Sequence, residues 1–508
     1  MKNLKFSLLV LMYVLSSCND ILNVEPTSYI QYPSSGSFSL SEATSLAVGC
    51  YASMQDPITY EWALTEIVSD NAFNSYTGTS DLRRLAAVDF DTFDWQANDL
   101  NYLYPYWSST YTSIRNTNVL LNGLGYVYDG TSGSLTFTQK EVVEASAKPL
   151  AAEACFIRAY NYFNLVRLFG QVPLITVNFL DPREAYSIGK SPVADVYKLI
   201  TADLQFAVAN GLSTAYSSSS NDLGKATKWA AESLLAKVYL TLGQKSNALP
   251  LLTDVITNSG HALYTTGSGT SYSSSAVQKV FSTSNEMNSE ILFAIRYGSG
   301  SNQAVGNGWQ ELWQTRSSPL PRGDNGVAPS LYSKFSSSDA RRTSSIRANS
   351  GFVPTRYELE KFFGSVSLTG TGLRDWPVIR YADVLLMYAE AAGKGNANSL
   401  IYMNLVRQRS WSTAIAASAI LTDDTFESVL LNERRLEFVG ENQRWFDLLR
   451  FSANSASGAI NVKTILKAYF TDAYPLYYQA DLGLPLATFH ANIDNSTLLL
   501  PTPSSEGL

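Results

Sequence analysis

The sequence predicts a mostly α-helical protein, a scaffold of tetratricopeptide-like helical hairpins that carries long irregular loops and a few short β-hairpins. Three observations predict it. Apolar residues recur every three to four positions through several long segments. Small residues and a glycine stand where two paired helices would touch and turn. Between these segments run Ser-, Gly-, Thr- and Tyr-rich stretches with no period.

The first seventeen residues are expected to direct export and lie outside the fold. Lys2 and Lys5 precede the apolar run Leu8–Leu15, which is too short to span a bilayer. Leu15-Ser16-Ser17-Cys18 resembles a bacterial lipobox. That implies cleavage before Cys18 and lipidation of its thiol, with each buried CH₂ contributing about 0.8 kcal/mol to anchoring. No later apolar stretch is long enough to cross a membrane, so the lipid is the expected anchor.

The clearest helix covers Ala151–Phe169, with Ala152, Cys155, Phe156, Ala159, Tyr162, Phe163 and Val166 on one face. Gly170 ends it and Pro173 prevents renewal. Ala226–Leu242 and Ala248–Ile256 form a hairpin around Gly243, with Ala231, Ala236 and Tyr239 in the first helix. Trp376-Pro377 is read as opening a helix that runs through Ala392, proline being tolerated at a helix start. The stretch from Tyr381 to Arg409 repeats the hairpin pattern, and Thr425–Leu449 reads as one more helix. Tyr126–Thr138, Ser213–Asn221, Tyr264–Ser275 and Gly298–Asn307 read as irregular loops.

Composition narrows function. With 508 residues, 45% apolar and 16% charged, the chain can bury a large core. A net charge of −7 without a basic stripe argues against nucleic acid and against electrostatic docking on anionic lipid. Only two histidines, His261 and His490, and no C-x-x-C argue against a zinc site, and nothing in the loops specifies another metal, so no metal ligand is assigned. Cys50 and Cys155 sit among small residues and are expected to be free and buried. The usual catalytic, nucleotide-binding and dinucleotide motifs are absent, so no catalytic residue and no cofactor is assigned.

Glu433, Glu437 and Glu441 lie four apart, which could suit a carboxylate pair for glycoside hydrolysis. Arg434 and Arg444 stand within four positions, so an ion network is the expected arrangement, one that lowers the carboxyl pKa values needed for acid catalysis. Glu153, Arg158, Arg167, Arg380 and Asp383 are read as serving the same structural end.

The aromatic content is high: 9 Trp, 30 Tyr and 23 Phe. An aromatic ring receives the C–H face of a sugar, and neighbouring amides and charges bond its hydroxyls. Two regions combine these features. Glu66–Trp107 supplies Asp70, Asn71, Tyr76, Arg83, Trp95 and Asn98; Arg296–Arg322 supplies Tyr297, Trp309 and Trp313. Trp107, Tyr111, Trp229, Trp376 and Trp445 fall in helix patterns and are expected in the core.

Several segments carry a family resemblance: Asn19–Pro26 after the lipobox, Glu153–Ile175 (EACFIRAYNYFNLVRLFGQVPLI), Arg380–Ala391 (RYADVLLMYAEA), Asn432–Arg450 (NERRLEFVGENQRWFDLLR) and the tail Leu498–Glu506. In this order they resemble the SusD/RagB family of outer-membrane nutrient-binding lipoproteins. Family members commonly continue past this tail motif, whereas this chain stops at Leu508. The resemblance implies a SusD-like fold and one globular unit from 18 to 508, with an N-terminal region of about 19–215 and a C-terminal region of about 280–508. It implies capture of oligosaccharides or polysaccharides at the cell surface and a SusC-type TonB-dependent transporter as partner. Other readings stay open: an oligopeptide-binding member, a surface glycosidase built on Asp91, Asp94 and Asp99 near Trp95, or a scaffold that binds only proteins.

Overall fold

The computed structural model describes residues 38–74, 89–95, 99–138, 144–179, 184, 187–216, 222–265, 274–298, 325–350, 355–362, 372–455, 457–473 and 485–503. It is 57% helix and 10% strand, which settles the class as mostly α. The first helices are α1 (Leu40–Ala52), α2 (Gln55–Thr65), α3 (Leu103–Gly123), α4 (Glu144–Phe169) and α5 (Val193–Ala209). Ser39 and Glu42 form a reciprocal cap that starts α1. α4 is the centre of the molecule: Ala151, Ala154, Cys155, Phe156 and Ile157 have no exposed surface. It stops where predicted, at Gly170, whose φ of +70° is available to glycine at little cost. Cys50 and Cys155 are both buried free thiols.

The hairpins follow. α6 (Lys228–Thr241) and α7 (Lys245–Asn258) turn at Gly243, φ +73°. α11 (Tyr381–Ala392) and α12 (Ala397–Gln408) form the second pair. Three short helices lie between the hairpins: α8 (Ser274–Val280), α9 (Pro329–Lys334) and α10 (Arg341–Ser345). Packing runs in series from α3 through α4, α5, α6, α7 and α11 to α12, the stacking of a helical-repeat scaffold. Buried ion pairs fasten the stack. Arg158 of α4 grips Asp203 of α5 through two 2.8 Å contacts, and Lys237 of α6 reaches Asp383 of α11 at 2.6 Å.

Two readings need correction. Trp376–Arg380 is a strand, β10, and the helix begins only at Tyr381. The buried run Ile291–Ile295, β6, pairs antiparallel with it, and Pro377 sits where the register shifts. Thr425–Leu449 is two helices, α13 (Asp423–Glu437) and α14 (Arg444–Asn454). Gly440 and Asn442 take φ of +74° and +55° between them, which no continuous helix permits. α15 (Val462–Ala473) and α16 (Leu486–Asn495) are the last helices among the described residues. Trp107, Trp229, Trp376 and Trp445 are buried as expected, and Tyr111 packs half-buried against the core.

The remaining strands are short. Tyr126–Thr138 holds a hairpin, β2 (Tyr126–Asp129) with β3 (Ser134–Phe137), in place of an irregular loop. β4 (Val172–Pro173) pairs with β5 (Lys190–Ser191). An antiparallel sheet orders β1 (Ala72–Asn74), β7 (Asn325–Val327), β9 (Arg356–Leu359) and β8 (Ile346–Asn349) side by side. At the C-terminal end, Leu500 is buried and its N–H donates to Leu168 O at 2.8 Å, fixing the tail to α4.

Candidate ligand-binding site

The four-stranded sheet pairs Ala72–Asn74, within the first aromatic-rich region, with Asn325–Val327, just beyond the second. β1 and β7 are antiparallel, with Ala72 opposite Val327 and Asn74 opposite Asn325. The chain therefore leaves β1 toward Tyr76 and Arg83 at the same end where it enters β7 from Trp309 and Trp313. Those four residues and Asn98 lie outside the described residues, as does Cys18.

Trp95 joins this end through a short tether. The Asn74 N–H donates to Asp91 Oδ2 at 3.1 Å. Trp95 Nε1 donates to Phe90 O at 3.3 Å, and its ring lies 5.1 Å from that of Phe93. Phe93 in turn packs on Trp445 and Phe470, and Asn492 Nδ2 bonds Thr92 O at 3.0 Å. The Trp95 indole is thus half-buried, one side against the core, and held in orientation before any ligand arrives.

Asp70 and Asn71 do not face a ligand, contrary to the expectation that they are loop contacts. Both are buried. Asp70 Oδ1 accepts from Arg444 Nε at 2.7 Å, and Asp70 Oδ2 lies 3.1 Å from Arg435. Burial raises its carboxyl, but Arg435 and Arg444 outweigh it and hold the group at about 2. Asn71 Oδ1 accepts from Arg435 Nε at 2.9 Å, while Asn71 O accepts from Ala328 N–H at 2.8 Å. The pair clamps the roots of β1 and β7 to α13 and α14. Tyr297 is likewise corrected: it is 5% exposed, and its hydroxyl donates to Gln55 O at 2.9 Å.

The carboxylates of the Asn432–Arg450 motif form an ion network, with different pairings from the local ones expected. Glu437 meets Arg341, Arg380 and Arg409, all from other segments. Glu441 lies beyond the end of α13 and pairs with Lys361 and Arg380 at 2.7 Å each. Arg434 turns to Asp383 at 2.8 Å and Asp447 at 2.9 Å. Burial raises the Glu437 carboxyl, yet these guanidiniums drive it well below the ordinary carboxylate range, unsuited to donate a proton near neutrality.

Near Trp95, Asp99 Oδ1 accepts from the N–H groups of Tyr102 and Leu103 at 2.7 and 3.0 Å, capping α3. Asp91 serves Asn74. Asp89 was not singled out in the sequence. Burial, with Asp94 and Asp99 adding to it, raises its carboxyl to about 6. The alternation of Asp and aromatic residues in Asp89–Trp95 was the signal available for it. Among the described residues no cluster of potential metal ligands occurs, and no helix is long and apolar enough to cross a membrane.

Fold and site together define a helical-repeat scaffold with a small antiparallel sheet, one end of whose β1 is tied through Asp91 to the segment that carries Trp95. Two family models match, one described as "Starch-binding associating with outer membrane" over residues 27–240 and one as "SusD family" over residues 330–483. The chain belongs to the SusD/RagB family. It is 26% identical to a SusD-like protein of Formosa agariphila, over 89% of this chain and 91% of that one. Among solved structures, it is similar to a laminarin-binding SusD-like protein, at 25% identity and a TM-score of 0.67, covering 91% of this chain and 99% of the other. A SusD homologue of Bacteroides thetaiotaomicron shares the fold at 20% identity and a TM-score of 0.71, covering 91% and 94%.

Proposed function

We propose that this protein is a lipid-anchored, cell-surface glycan-binding lipoprotein that captures oligosaccharides and passes them to a SusC-type TonB-dependent transporter without chemical change. Family membership and the outer-membrane association in the family description support the setting. The laminarin-binding neighbour supports the ligand class. A hydrophobic core continuous from Phe38 to Leu500 supports reading residues 18–508 as one unit.

The observation that carries the site is the Asn74–Asn325 pairing beside Trp95. It supports a shallow face in which Trp95, Trp309, Tyr76 and Trp313 offer rings and Asn98 and Arg83 bond hydroxyls. A few stacked rings and hydrogen bonds, set against ordering costs, give an affinity on the order of micromolar or weaker. Anchoring beside the transporter raises local concentration enough for that affinity to suffice. Commitment of Asp91 and Asp99 to backbone N–H groups supports binding over hydrolysis.

The test is calorimetric titration of the full chain in detergent against laminarin, starch, other plant and microbial polysaccharides, and a peptide digest. Binding to one glycan that is lost in Trp95→Ala and Trp309→Ala, with folding intact, is the expected result. Binding to peptides alone would overturn the glycan reading.

A further inference from the structure

The turn that carries Trp95 is closed by an unusual residue. Residues 89–91 are helical, and two bonds end that turn of helix: the Asp94 N–H donates to Asp89 O at 3.0 Å, and the Phe93 N–H donates to Phe90 O at 3.4 Å. Together they make the Schellman stop of a helix, which puts Phe93 at φ +59°. Glycine is the usual occupant of that position, because a Cβ crowds the backbone in the left-handed region. A bulky aromatic residue there is an outlier, and such outliers persist where the surroundings over-determine them.

The surroundings of Phe93 lie on two sides. On the inner side its ring stands 6.0 Å from Trp445 of α14 and 6.3 Å from Phe470 of α15, and the residue is 6% exposed. On the other side it meets the half-buried Trp95, at 5.1 Å between rings and a tilt of 36°. Trp95 Nε1 donates to Phe90 O, the carbonyl that also closes the turn. Phe90 is itself buried, edge-on to Tyr102 at 6.2 Å.

The indole therefore has two holds of different kinds. The Nε1 hydrogen bond fixes one corner of the ring and leaves its plane free to swing. The Phe93 ring fixes the plane, and the freedom so removed is not lost again when a ligand stacks. A glycine would close the same turn with less crowding but would leave the indole plane without this support.

We propose that Phe93 is a positioning residue. Its left-handed backbone turns its ring against Trp95, carries the rigidity of α14 and α15 to the indole, and sets the orientation in which Trp95 meets a sugar ring. The proposal rests on the glycan-binding reading of Trp95.

Two measurements on the full chain in detergent test it. The first is fluorine NMR after labelling with 5-fluorotryptophan, the Trp95 signal being assigned by its loss in Trp95→Phe. Phe93→Ala should move that signal toward its position in denaturant. Phe93→Leu keeps apolar contact with Trp445 and Phe470 without the ring, so it should move the signal the same way and keeps the test open if Phe93→Ala fails to fold. The second is calorimetry with laminarin and starch as probes. Phe93→Ala should weaken binding about tenfold, and the Phe93→Ala/Trp95→Ala double variant should bind within about twofold of Trp95→Ala alone, because one change acts through the other. A merely structural Phe93 would give losses that multiply. Multiplying losses, or a Trp95 signal that both Phe93 variants leave in place, would overturn the proposal. Binding of neither polysaccharide by the parent, or an affinity unchanged in Trp95→Ala, would overturn the glycan reading of Trp95 instead, and the fluorine signal separates that failure from a failure of Phe93 to hold the indole.

Discussion

Arg444 Nε lies 2.7 Å from Asp70 Oδ1, and Arg444 Nη2 lies 3.0 Å from Asp70 Oδ2, across a sequence separation of 374 residues. This fork joins the start of α14 to the turn before β1. Through Asn71 and Ala328 it also steadies β7. Replacing Arg444 by Met should leave a buried carboxylate half-compensated and cost about 3 kcal/mol in urea unfolding. Amide exchange at Ala72–Asn74 should quicken, and glycan affinity should fall with it. The pH dependence follows from the depressed Asp70 carboxyl. Its contribution is present above the unfolded value of about 3.9 and is lost as pH falls toward 2.

Glu61 should behave in the opposite sense. Its Oε1 accepts from Asn442 at 3.2 Å, yet burial raises the carboxyl to about 7 against the pull of Asn442 and Arg167. The folded state therefore keeps a proton that the unfolded chain releases near pH 4.3, and stability falls as pH rises from about 4 to about 7. Glu61→Gln should be more stable than the parent by roughly 1–3 kcal/mol near pH 8, with the difference vanishing near pH 4. Equal curves for the two proteins at both pH values in thermal unfolding would contradict this.

Binding and turnover can be separated near Trp95. Trp95→Ala should weaken the bound glycan about tenfold with little change in unfolding temperature, since the indole is only half-buried. Asp89→Asn, which removes the carboxyl raised to about 6, should leave affinity within about twofold. Chromatography of the bound glycan should show no shortened products from either protein. Products that disappear in Asp89→Asn would convert the reading to a glycosidase.

The thiols of Cys50 and Cys155 should be silent until the fold opens. Burial pushes the Cys50 thiol up to about 12, and Glu153 adds to this; burial likewise raises the Cys155 thiol well above its ordinary value. Neither should react with iodoacetamide in native buffer, and both should react in denaturant, as read by mass.

Much of the fold was legible because helix signals are local. The face of Ala152, Phe156, Ala159 and Phe163, the stop at Gly170 and the turn at Gly243 each follow from spacing within a few residues. Failures came where distant partners decide. Trp376-Pro377 looks like a helix start until Ile291–Ile295 pairs with it. The break at Gly440–Asn442 needs two positive φ values that composition alone does not announce. Trp95 stands out in the sequence by its aromatic and acidic neighbours, and the structure sets its indole half-buried against Phe93. Asp70 and Asn71 were misread for a physical reason: in sequence they are polar turn residues, and only Arg435 and Arg444, more than 360 positions away, take them into the core.

The β1–β7 pairing is only three residues long, yet its roots are bolted to α13 and α14 by the ion pairs of Asp70. Such a joint works as a socket. Asp70, Asn71 and Ala328 hold β1 and β7 through Arg435, Arg444 and each other, none of which lies in segments 75–88 or 299–324. On the proposed reading, the anchoring contacts and the ring-bearing stretches are different residues, so a change of glycan preference leaves the Asp70–Arg444 fork as it stands.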